Sequence, residues 1–497
     1  MIEWIHSENP ADRELARLTS AGHDVGANAP YLSDTVWDLV VLGGGTAGLV
    51  GAIGAAGLGA RVLLIESHRL GGDCLHTGCV PSKAILEAAG HLTALGPDED
   101  ASKRFQKIFE TMRSVRAELA THDSQERLER CGVEVAFGKA RFLTPDRLTL
   151  GSQEIRFKRA LIATGSRPRL PDIEGADLPL VVTTQRIFDL ASMPRHLTIL
   201  GGGPVGCELA QGFARLGAKV VLVQSQERLL PRDDAEASAL LVEALRSEGI
   251  ELILETTVRR IEQKPERLQL DFGPARAPIA TDLVLVATGR QANIEDLDLA
   301  KAGVGHDEKG IVTDDYLRTT SARIFAAGDV TGRWQFTHAS DAMARLFLRN
   351  GLIGFPFTRK SIQDVAIPWI TWTWPRVGGV GMDEDQARAA GADTYRVDGK
   401  TVDRLRLGGQ TQGFFKIFAT SKGKILGARA CGAQIEGWLG MVTQAMEQGT
   451  PLGALADAIH PYPGHAEALK KAAGEFRKKG FTSTMQKIIK WWLSARS

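Results

Sequence analysis

The sequence predicts an α/β protein built on two nucleotide folds, and three observations predict it. A strand, a glycine-rich turn, a helix and a second strand run in order from Asp38 to Glu66. The same order returns from Leu197 to Gln224, at the same spacing from first glycine to strand end. Between the two lies Gly71-Gly72-Asp73-Cys74-Leu75-His76-Thr77-Gly78-Cys79-Val80-Pro81-Ser82-Lys83, with two cysteines five positions apart.

In the first fold, residues 38–42 read as a buried strand, Gly43-Gly44-Gly45-Thr46-Ala47-Gly48 as the turn, 49–57 as a small-residue helix and 60–65 as a strand ending at Glu66. Gly43 suits the tight turn, Gly45 lets the backbone approach a pyrophosphate at the helix N-terminus, and Gly48 lets helix and strand pack closely. Glu66 is expected on the two ribose hydroxyls of an adenosine. A glycine-rich turn without a ligand is the plain alternative, and the full order of elements argues against it.

The second fold has a strand at 197–200, the turn Gly201-Gly202-Gly203-Pro204-Val205-Gly206, a helix at 207–216 and a strand at 219–223 ending at Gln224. Two such folds mean two nucleotides. Gln224 stands where an acid would hold the ribose of NAD, which leans the choice between NADH and NADPH toward NADPH. Arg228 is either a 2′-phosphate partner or a solvated surface charge.

In an ideal helix, five positions turn two side chains about 140° apart, too far round for a disulfide. Bridging Cys74 and Cys79 requires a distorted turn, for which Gly78 supplies backbone freedom. Pro81 fits a first helical turn, which puts Cys79 at a helix N-terminus, where partial positive charge favours thiolate. A redox pair is one reading; two unrelated thiols and half a metal site are the others. A metal site usually brings a second C-x2-C pair, whereas Cys131, Cys207 and Cys431 are isolated.

Composition bounds the partners. The 497 residues suffice for about three domains. Sixty basic and 59 acidic side chains give a net charge of +1, which argues against nucleic acid. Five cysteines suit a reducing compartment, no apolar run reaches the ~18 residues of a membrane span, and the first thirty residues lack a signal peptide's apolar core. A cytoplasmic protein is expected. Residues 1–36 form an extension, helical over 11–20 with Leu15 and Leu18 on one face and loop over 22–34, to which no chemistry is assigned.

These motifs, with Ala163-Thr164-Gly165-Ser166, Ala287-Thr288-Gly289-Arg290 and 320–329 ending in Ala327-Gly328-Asp329, resemble the class I pyridine nucleotide-disulfide oxidoreductases, which include dihydrolipoamide dehydrogenase, glutathione reductase and mercuric reductase. The resemblance covers about residues 37–480. It implies FAD-binding at 37–180 and 301–365, NAD(P)-binding at 181–300, a C-terminal α+β dimerisation domain at 366–480 and a basic tail at 481–497. It implies a redox-active Cys74–Cys79 disulfide, Cys79 nearer the flavin and Cys74 attacking the acceptor. By position Gly43, Gly45, Gly48, Glu66, Gly72, Lys83, Gly138, Thr164, Gly165, Ser166, Asp329, Gln335, Phe336, Thr337 and His338 correspond to FAD contacts. Gly201, Gly203, Gly206, Gln224 and Gly289 correspond to contacts with NADPH or NADH, and Glu208 to the acid paired with Lys83. A homodimer with an active site shared between subunits follows from the same resemblance.

Residues 367–375 alternate like a strand, with Trp372 and Trp374 on one face for a dimer contact or, less expected, substrate stacking; 377–381 lead to a helix from Asp383, and 402–404, 413–418 and 424–430 read as sheet. In His460-Pro461-Tyr462-Pro463-Gly464-His465-Ala466-Glu467 the family's acid-base histidine aligns with Tyr462, as in the mercuric reductase branch, while Glu467 is kept. A phenol with a pKa near ~10 donates a proton to a leaving thiolate but is a poor base at neutral pH. His460 and His465 are the candidate substitutes. From Lys470 onward eight basic residues face one acid, Glu475, and Met485, Ile488, Ile489, Trp492 and Leu493 share a helical face suited to an anionic membrane surface or to packing on the partner subunit. The expected activity is electron transfer from NAD(P)H through FAD and the cysteine pair to a small disulfide or related acceptor. Mercuric-ion reduction and a low-turnover sensing, quinone-reducing or membrane-associated flavoprotein are the alternatives.

Overall fold

The computed structural model describes residues 9–20, 31–92, 100–481 and 483–496. Two compact units separate: Met1–Ser225 with Gly249–Asp364, and Gln226–Glu248 with Val365–Ser497.

The first unit holds both nucleotide folds. Val36–Leu42, rich in buried valine and leucine, pairs in parallel with Val62–Glu66 on one side and Gln153–Ile162 on the other. Val133–Phe137 extends the sheet beyond Val62–Glu66, and Ile324–Ala326 pairs with Gln153–Ile162. Arg147–Leu150 and Ala140–Thr144 continue it antiparallel. The helix Thr46–Gly57 starts three residues earlier than the sequence suggests, directly after Gly45. Its buried Ala47, Gly48, Gly51, Ala52 and Ala55 allow close packing, and a Cβ on Gly51 would stand 2.7 Å from Leu161 Cδ2. Val40, Leu42, Leu63, Ile65, Phe142, Phe157 and Ile324 belong to the core here.

The second sheet is parallel throughout, in the order Glu251–Ile253, Lys219–Val223, His196–Leu200, Leu283–Val286, Val181–Val182. Its helix, Pro204–Leu216, likewise begins earlier than expected, with proline in the first turn where its missing N–H costs nothing, and stops at Gly217 with φ +108°. A three-stranded antiparallel sheet, Arg260–Gln263, Leu268–Asp271 and Ile279–Thr281, packs Leu268 and Leu270 into the same core as Val223 and Val284.

The N-terminal helix forms as expected, over Pro10–Thr19, capped by Asn9, whose side chain accepts from Ala11 N at 2.9 Å. The loop reading of 22–34 is corrected at its end: Tyr31–Asp34 is one helical turn that buries Leu32 under Trp37, whose Nε1 donates to Leu32 O. Residues 21–30 lie outside those described.

In the second unit an antiparallel sheet runs Trp369–Thr371, Arg376–Gly381, Ile425–Gly432, Phe414–Thr420, Ala392–Asp398. Helices Ile435–Gln448 and Glu467–Gly480 pack Trp438, Leu439, Ala468 and Leu469 into its core. The long strand expected over 367–375 is only three residues long, because the chain turns at Thr373, whose hydroxyl donates to Pro375 O. Residues 376–381 are strand, and the helix comes at Glu384–Ala389 behind an Asp383–Gln386 capping box. The sheet reading of 402–404 is wrong. Asp403–Leu407 is a helical turn that buries Leu405 and has its first N–H taken by Glu467 Oε2 at 3.0 Å.

Candidate active site

Cys74 lies in a one-turn helix, Gly72–His76, and Cys79 opens the next, Cys79–Leu92. The break at Thr77-Gly78 supplies the distorted turn, though Gly78 is required for space rather than for a left-handed backbone: a Cβ there would lie 2.8 Å from Asp73 O. Both cysteines are free thiols, Cys79 exposed and Cys74 partly buried. The hydrogen bond from Cys74, the Lys83 ammonium and Thr337 together lower the Cys79 pKa to about 6, overcoming burial and the charge of Glu208. The same bond, burial and the charge on Cys79 push the Cys74 thiol up. Thr337 Oγ1 stands 3.4 Å from Cys79 Sγ, at the start of the helix Thr337–Phe347.

One turn beyond Cys79, Lys83 Nζ meets Glu208 Oε2 at 2.5 Å; the Glu208 side chain is 5% exposed. This ion pair links a helix of the first fold to Pro204–Leu216 of the second. The two helices pack closely, since a Cβ added at Gly212 would lie 3.5 Å from Leu86 Cδ2 and 3.6 Å from Ile85 Cγ2. Glu208, buried, holds its charge only while the Lys83 ammonium is present.

Around the first glycine turn, buried Glu66 accepts from Gly44 N at 2.6 Å and from His68 N at 2.7 Å. Gly45 faces Gly72 so closely that a Cβ on Gly72 would stand 2.7 Å from Gly45 Cα. That pair of glycines leaves bare backbone at the N-terminus of Thr46–Gly57, as a pyrophosphate requires. Gly138 N donates to Glu66 O beside them. Ser166 Oγ donates to Asp329 Oδ2 at 2.8 Å, and burial raises the Asp329 pKa against that bond and the charge of Arg290. Thr164 and Asn293 exchange two hydrogen bonds, Thr164 Oγ1 to Asn293 O and Asn293 Nδ2 to Thr164 O, while Gly165 O accepts from Asn293 N. Phe336 and His338 stack at 5.5 Å, and Gln335 is exposed beside them. These residues fit FAD: an anion-ready helix terminus, a buried acid at the adenosine end, and a partly buried carboxylate near the cysteine segment.

Around the second turn, Gln224 Oε1 accepts from Gly202 N at 3.2 Å, 22 residues away as Glu66 is from Gly44. Gly203 has open space around its Cβ direction, and Gly289 takes φ +140° next to Arg169, whose N donates to Gly289 O. The set fits a nicotinamide dinucleotide. Arg228, in the second unit, donates to Pro231 O.

Two residues, one in each unit, are not singled out by the sequence. Arg290 pairs with Asp73, next to Cys74, donates to Ser166 Oγ at 2.7 Å and Ser166 O at 2.8 Å, and lies 3.7 Å from Asp329. Its signal is present as the basic residue closing Ala287-Thr288-Gly289-Arg290. Asp403 accepts from Tyr462 Oη at 3.0 Å, and its charge and hydrogen bond raise the phenol's pKa. Nothing local marks Asp403, which is far from Tyr462 in sequence. Glu467 is bound instead to Asp403 N and, at 2.6 Å, to Lys471. Burial and Arg404 lower the His465 pKa, and His460 Nε2 is buried without a hydrogen bond among the described residues. Trp372 stacks under the Arg376 guanidinium at 5.1 Å, and Arg376 pairs with Glu436.

Two nucleotide folds bridged by the Lys83–Glu208 ion pair beside an acid-shifted thiol define a two-nucleotide redox protein built around a thiol pair. The chain belongs to the pyridine nucleotide-disulphide oxidoreductases: that family matches residues 37–344, and its dimerisation domain matches residues 367–473. Members are flavoenzymes that use FAD and NAD(P)H, and in this family the dimerisation domain makes a homodimer. The chain is 32% identical to a mercuric reductase of Bacillus cereus over 89% of its length and 72% of the relative's. It is 29% identical to a dihydrolipoyl dehydrogenase of Chlamydia trachomatis over 88% of its length and 96% of the relative's. Among solved structures, the Cu(II) complex of the HOCl-induced flavoprotein disulfide reductase RclA from Escherichia coli matches with a TM-score of 0.79 at 30% identity, covering 87% of this chain and 98% of that one.

Proposed function

We propose that the chain reduces a small disulfide or thiol-linked acceptor with NAD(P)H through Cys74 and Cys79. The observation that carries this reading is the setting of Cys79, which opens a helix five residues after Cys74, 3.4 Å from Thr337 Oγ1 and one turn before the Lys83–Glu208 pair, a setting that favours its thiolate. Glu66, Ser166 and Asp329 hold FAD in this reading, and Gln224 with the Gly201 turn holds the nicotinamide nucleotide. Bound FAD supplies two-electron relay from nicotinamide to the sulfur pair. Above pH about 6, Cys79 stores negative charge as thiolate, held by Lys83. Cys74 gives up its proton and attacks the acceptor disulfide, releasing one thiolate, which takes a proton. Cys79 then attacks the Cys74 sulfur, releasing the second thiol and closing the Cys74–Cys79 disulfide. The phenol of the partner subunit's Tyr462, kept protonated by Asp403 within that chain, is the donor in this scheme.

Metal-ion reduction is a second reading, favoured by the mercuric reductase relatives and by Tyr462 in place of the family histidine, a phenol that stays protonated near pH 7 and so cannot serve as a base there. Anaerobic reduction, then a panel of disulfides, lipoamide, quinones and Hg(II), separates the two. Turnover of a disulfide that is lost in Cys74→Ser supports the first; NADPH oxidation driven only by Hg(II) overturns it in favour of the second.

For the C-terminal helix Ser483–Ser494 we propose adsorption to an anionic membrane surface. Met485, Ile488, Ile489, Trp492 and Leu493 are all exposed on one face, with Lys487 and Lys490 on the other. Among the described residues no helix is long and apolar enough to cross a membrane. Cosedimentation with vesicles containing phosphatidylserine, lost on Lys487→Glu/Lys490→Glu and absent with phosphatidylcholine alone, is the expected result. Equal binding by wild type and variant overturns the proposal.

A further inference from the structure

The N-terminal helix lies outside both family matches, which begin at residue 37 and end at 473. Its contacts nonetheless converge on the segment carrying the two cysteines. Leu15 and Leu18 are buried in one cluster with Leu75, Ala117 and Ala120, with Val80 packed at the edge. Leu75 comes directly after Cys74 and Val80 directly after Cys79, so the cluster grips the chain next to each sulfur. Entry to the segment is tied as well: Leu70 N donates to Thr19 O at 2.8 Å.

A charged contact completes the arrangement. Asp12 Oδ1 accepts from Arg116 Nη2 at 2.7 Å, and the other amino group of Arg116 donates to His76 O at 3.0 Å. Asp12 Oδ2 lies 3.5 Å from Arg113 Nε, and Arg113 Nη2 donates to Leu190 O at 2.9 Å. Both arginines are at most 5% exposed, and Asp12 is the carboxylate paired with each. Without it, Asp189 would remain as a nearby negative charge for two buried arginines that otherwise repel, which is destabilising. The His76 ring closes the segment on itself through Nε2 to Leu70 O, and burial, by lowering its pKa to about 4, keeps it neutral near pH 7.

We propose that the N-terminal helix is a clasp that fixes the spacing and reactivity of Cys74 and Cys79, with Asp12 and Arg116 as positioning residues and Leu15 as the packing anchor. This rests on the reading of the two cysteines as the redox pair. A one-turn helix broken by Thr77-Gly78 has little hydrogen bonding of its own, so its geometry is set by what holds Leu70, Leu75 and His76. Arg290 on Asp73 and Gly44 on Gly71 anchor it from the first fold, and the clasp, with Arg116, which Asp12 orients, holds Leu70, Leu75 and His76. The hydrogen bond from Cys74 that stabilises the Cys79 thiolate depends on that geometry.

The test is alkylation of Cys79 by iodoacetamide against pH, in the reduced holoprotein, with equilibration against a glutathione buffer as a second readout. Wild type, Asp12→Ala, Leu15→Val and a control in the same helix, Glu14→Ala, are compared. Glu14 is exposed and pairs only with Arg17 among the described residues. The variants leave Lys83, Glu208 and Asp123, the charged groups around the pair, unchanged. Expected is an upward move of the alkylation midpoint in Asp12→Ala and Leu15→Val, the first pH unit of which lowers the rate at pH 6 about fivefold, together with a shifted glutathione equilibrium. Glu14→Ala should match wild type, and Asp12→Glu should restore most of the profile. Wild-type profiles in both loosened variants, whatever their melting temperatures, overturn the clasp. If Asp12→Ala is not recovered folded, Leu15→Val decides on the same readouts. A wild type lacking an acidic thiol sinks the redox-pair reading instead, which keeps the two failures distinct.

Discussion

The two glycine-turn folds share a backbone frame and differ beyond it. A Cβ on Gly48 would stand 1.8 Å from Gly43 O, and one on Gly206 would stand 1.9 Å from Gly201 O. A Cβ on Gly43 would meet Ala163 O at 2.4 Å, and one on Gly201 would meet Ala287 O at 2.5 Å. Matching distances at matching positions show that the turn is dictated by its own packing in each copy. Past the second strand the copies diverge. The first ends in the carboxylate Glu66 and runs straight into the cysteine segment, while the second ends in the amide Gln224 and contributes Glu208 across to Lys83. The frame supplies nucleotide sites, and the departures from it supply the chemistry.

The sharpest way to break the comparison is to remove the sulfur that only the first copy leads into. Cys74→Ser is expected to cut disulfide reduction by about a thousandfold or more, since serine offers no thiolate at neutral pH. NAD(P)H-dependent reduction of a quinone dye should persist. Steady-state assays with both acceptors check this, and full disulfide turnover in the variant would overturn the assignment of Cys74. Next in size are the glycines. Overpacking of ~1–3 kcal/mol or more is expected from Gly48→Ala and from Gly206→Ala. The first should appear as loss of flavin absorbance on gel filtration. The second should retain the flavin and raise KM for the nicotinamide nucleotide by roughly 10- to 100-fold. Flavin loss from the second variant alone would reverse the assignment of the two sites.

The link between the copies gives a pH prediction. Cys79 is an acid whose charged form is favoured by Lys83 and disfavoured by Glu208, so removing Lys83 must move its pKa upward from about 6. In Lys83→Met, thiolate at pH 7 should fall by about thirtyfold if the value approaches that of an ordinary thiol near ~8.5. Lys83→Met/Glu208→Gln should recover part of it, because the second change removes the uncompensated negative charge. Thiolate absorbance near the ultraviolet edge, measured against pH, reads both. An unchanged midpoint in Lys83→Met would mean that the hydrogen bond from Cys74 carries the whole effect.

The repeat is legible in the sequence because Gly48 and Gly206 are demanded locally, each against the first glycine of its own turn. The same holds for Cys79 at a helix N-terminus, signalled by Pro81 two residues on. Periodicity puts the helix starts three residues late in both copies, since the turn motif hides that the helix begins inside it. Asp403 reads as sheet in the sequence because its helical turn is held by Glu467, a contact no local pattern encodes. The grip of Leu15, Asp12 and Arg116 on the cysteine segment is invisible for the same reason: it joins residues far apart in the chain, and each alone is an ordinary leucine, aspartate or arginine.

The smallest effect tests the strand ends themselves. Glu66 and Gln224 accept from the equivalent turn amide, so Gln224→Glu makes the second copy like the first at that point. A carboxylate there would accept from both ribose hydroxyls of NADH and would repel the 2′-phosphate of NADPH. Its cost to folding should be slight, because the Gly202 amide that now donates to the glutamine oxygen would donate to the carboxylate, as the Gly44 amide does to Glu66. The ratio of kcat/KM for NADPH to that for NADH is expected to fall about tenfold, the ~1.4 kcal/mol of one charge-assisted hydrogen bond gained or one charge contact turned repulsive. If the ratio stays where it was, coenzyme choice does not reside at the end of this strand, and the copies differ there without consequence.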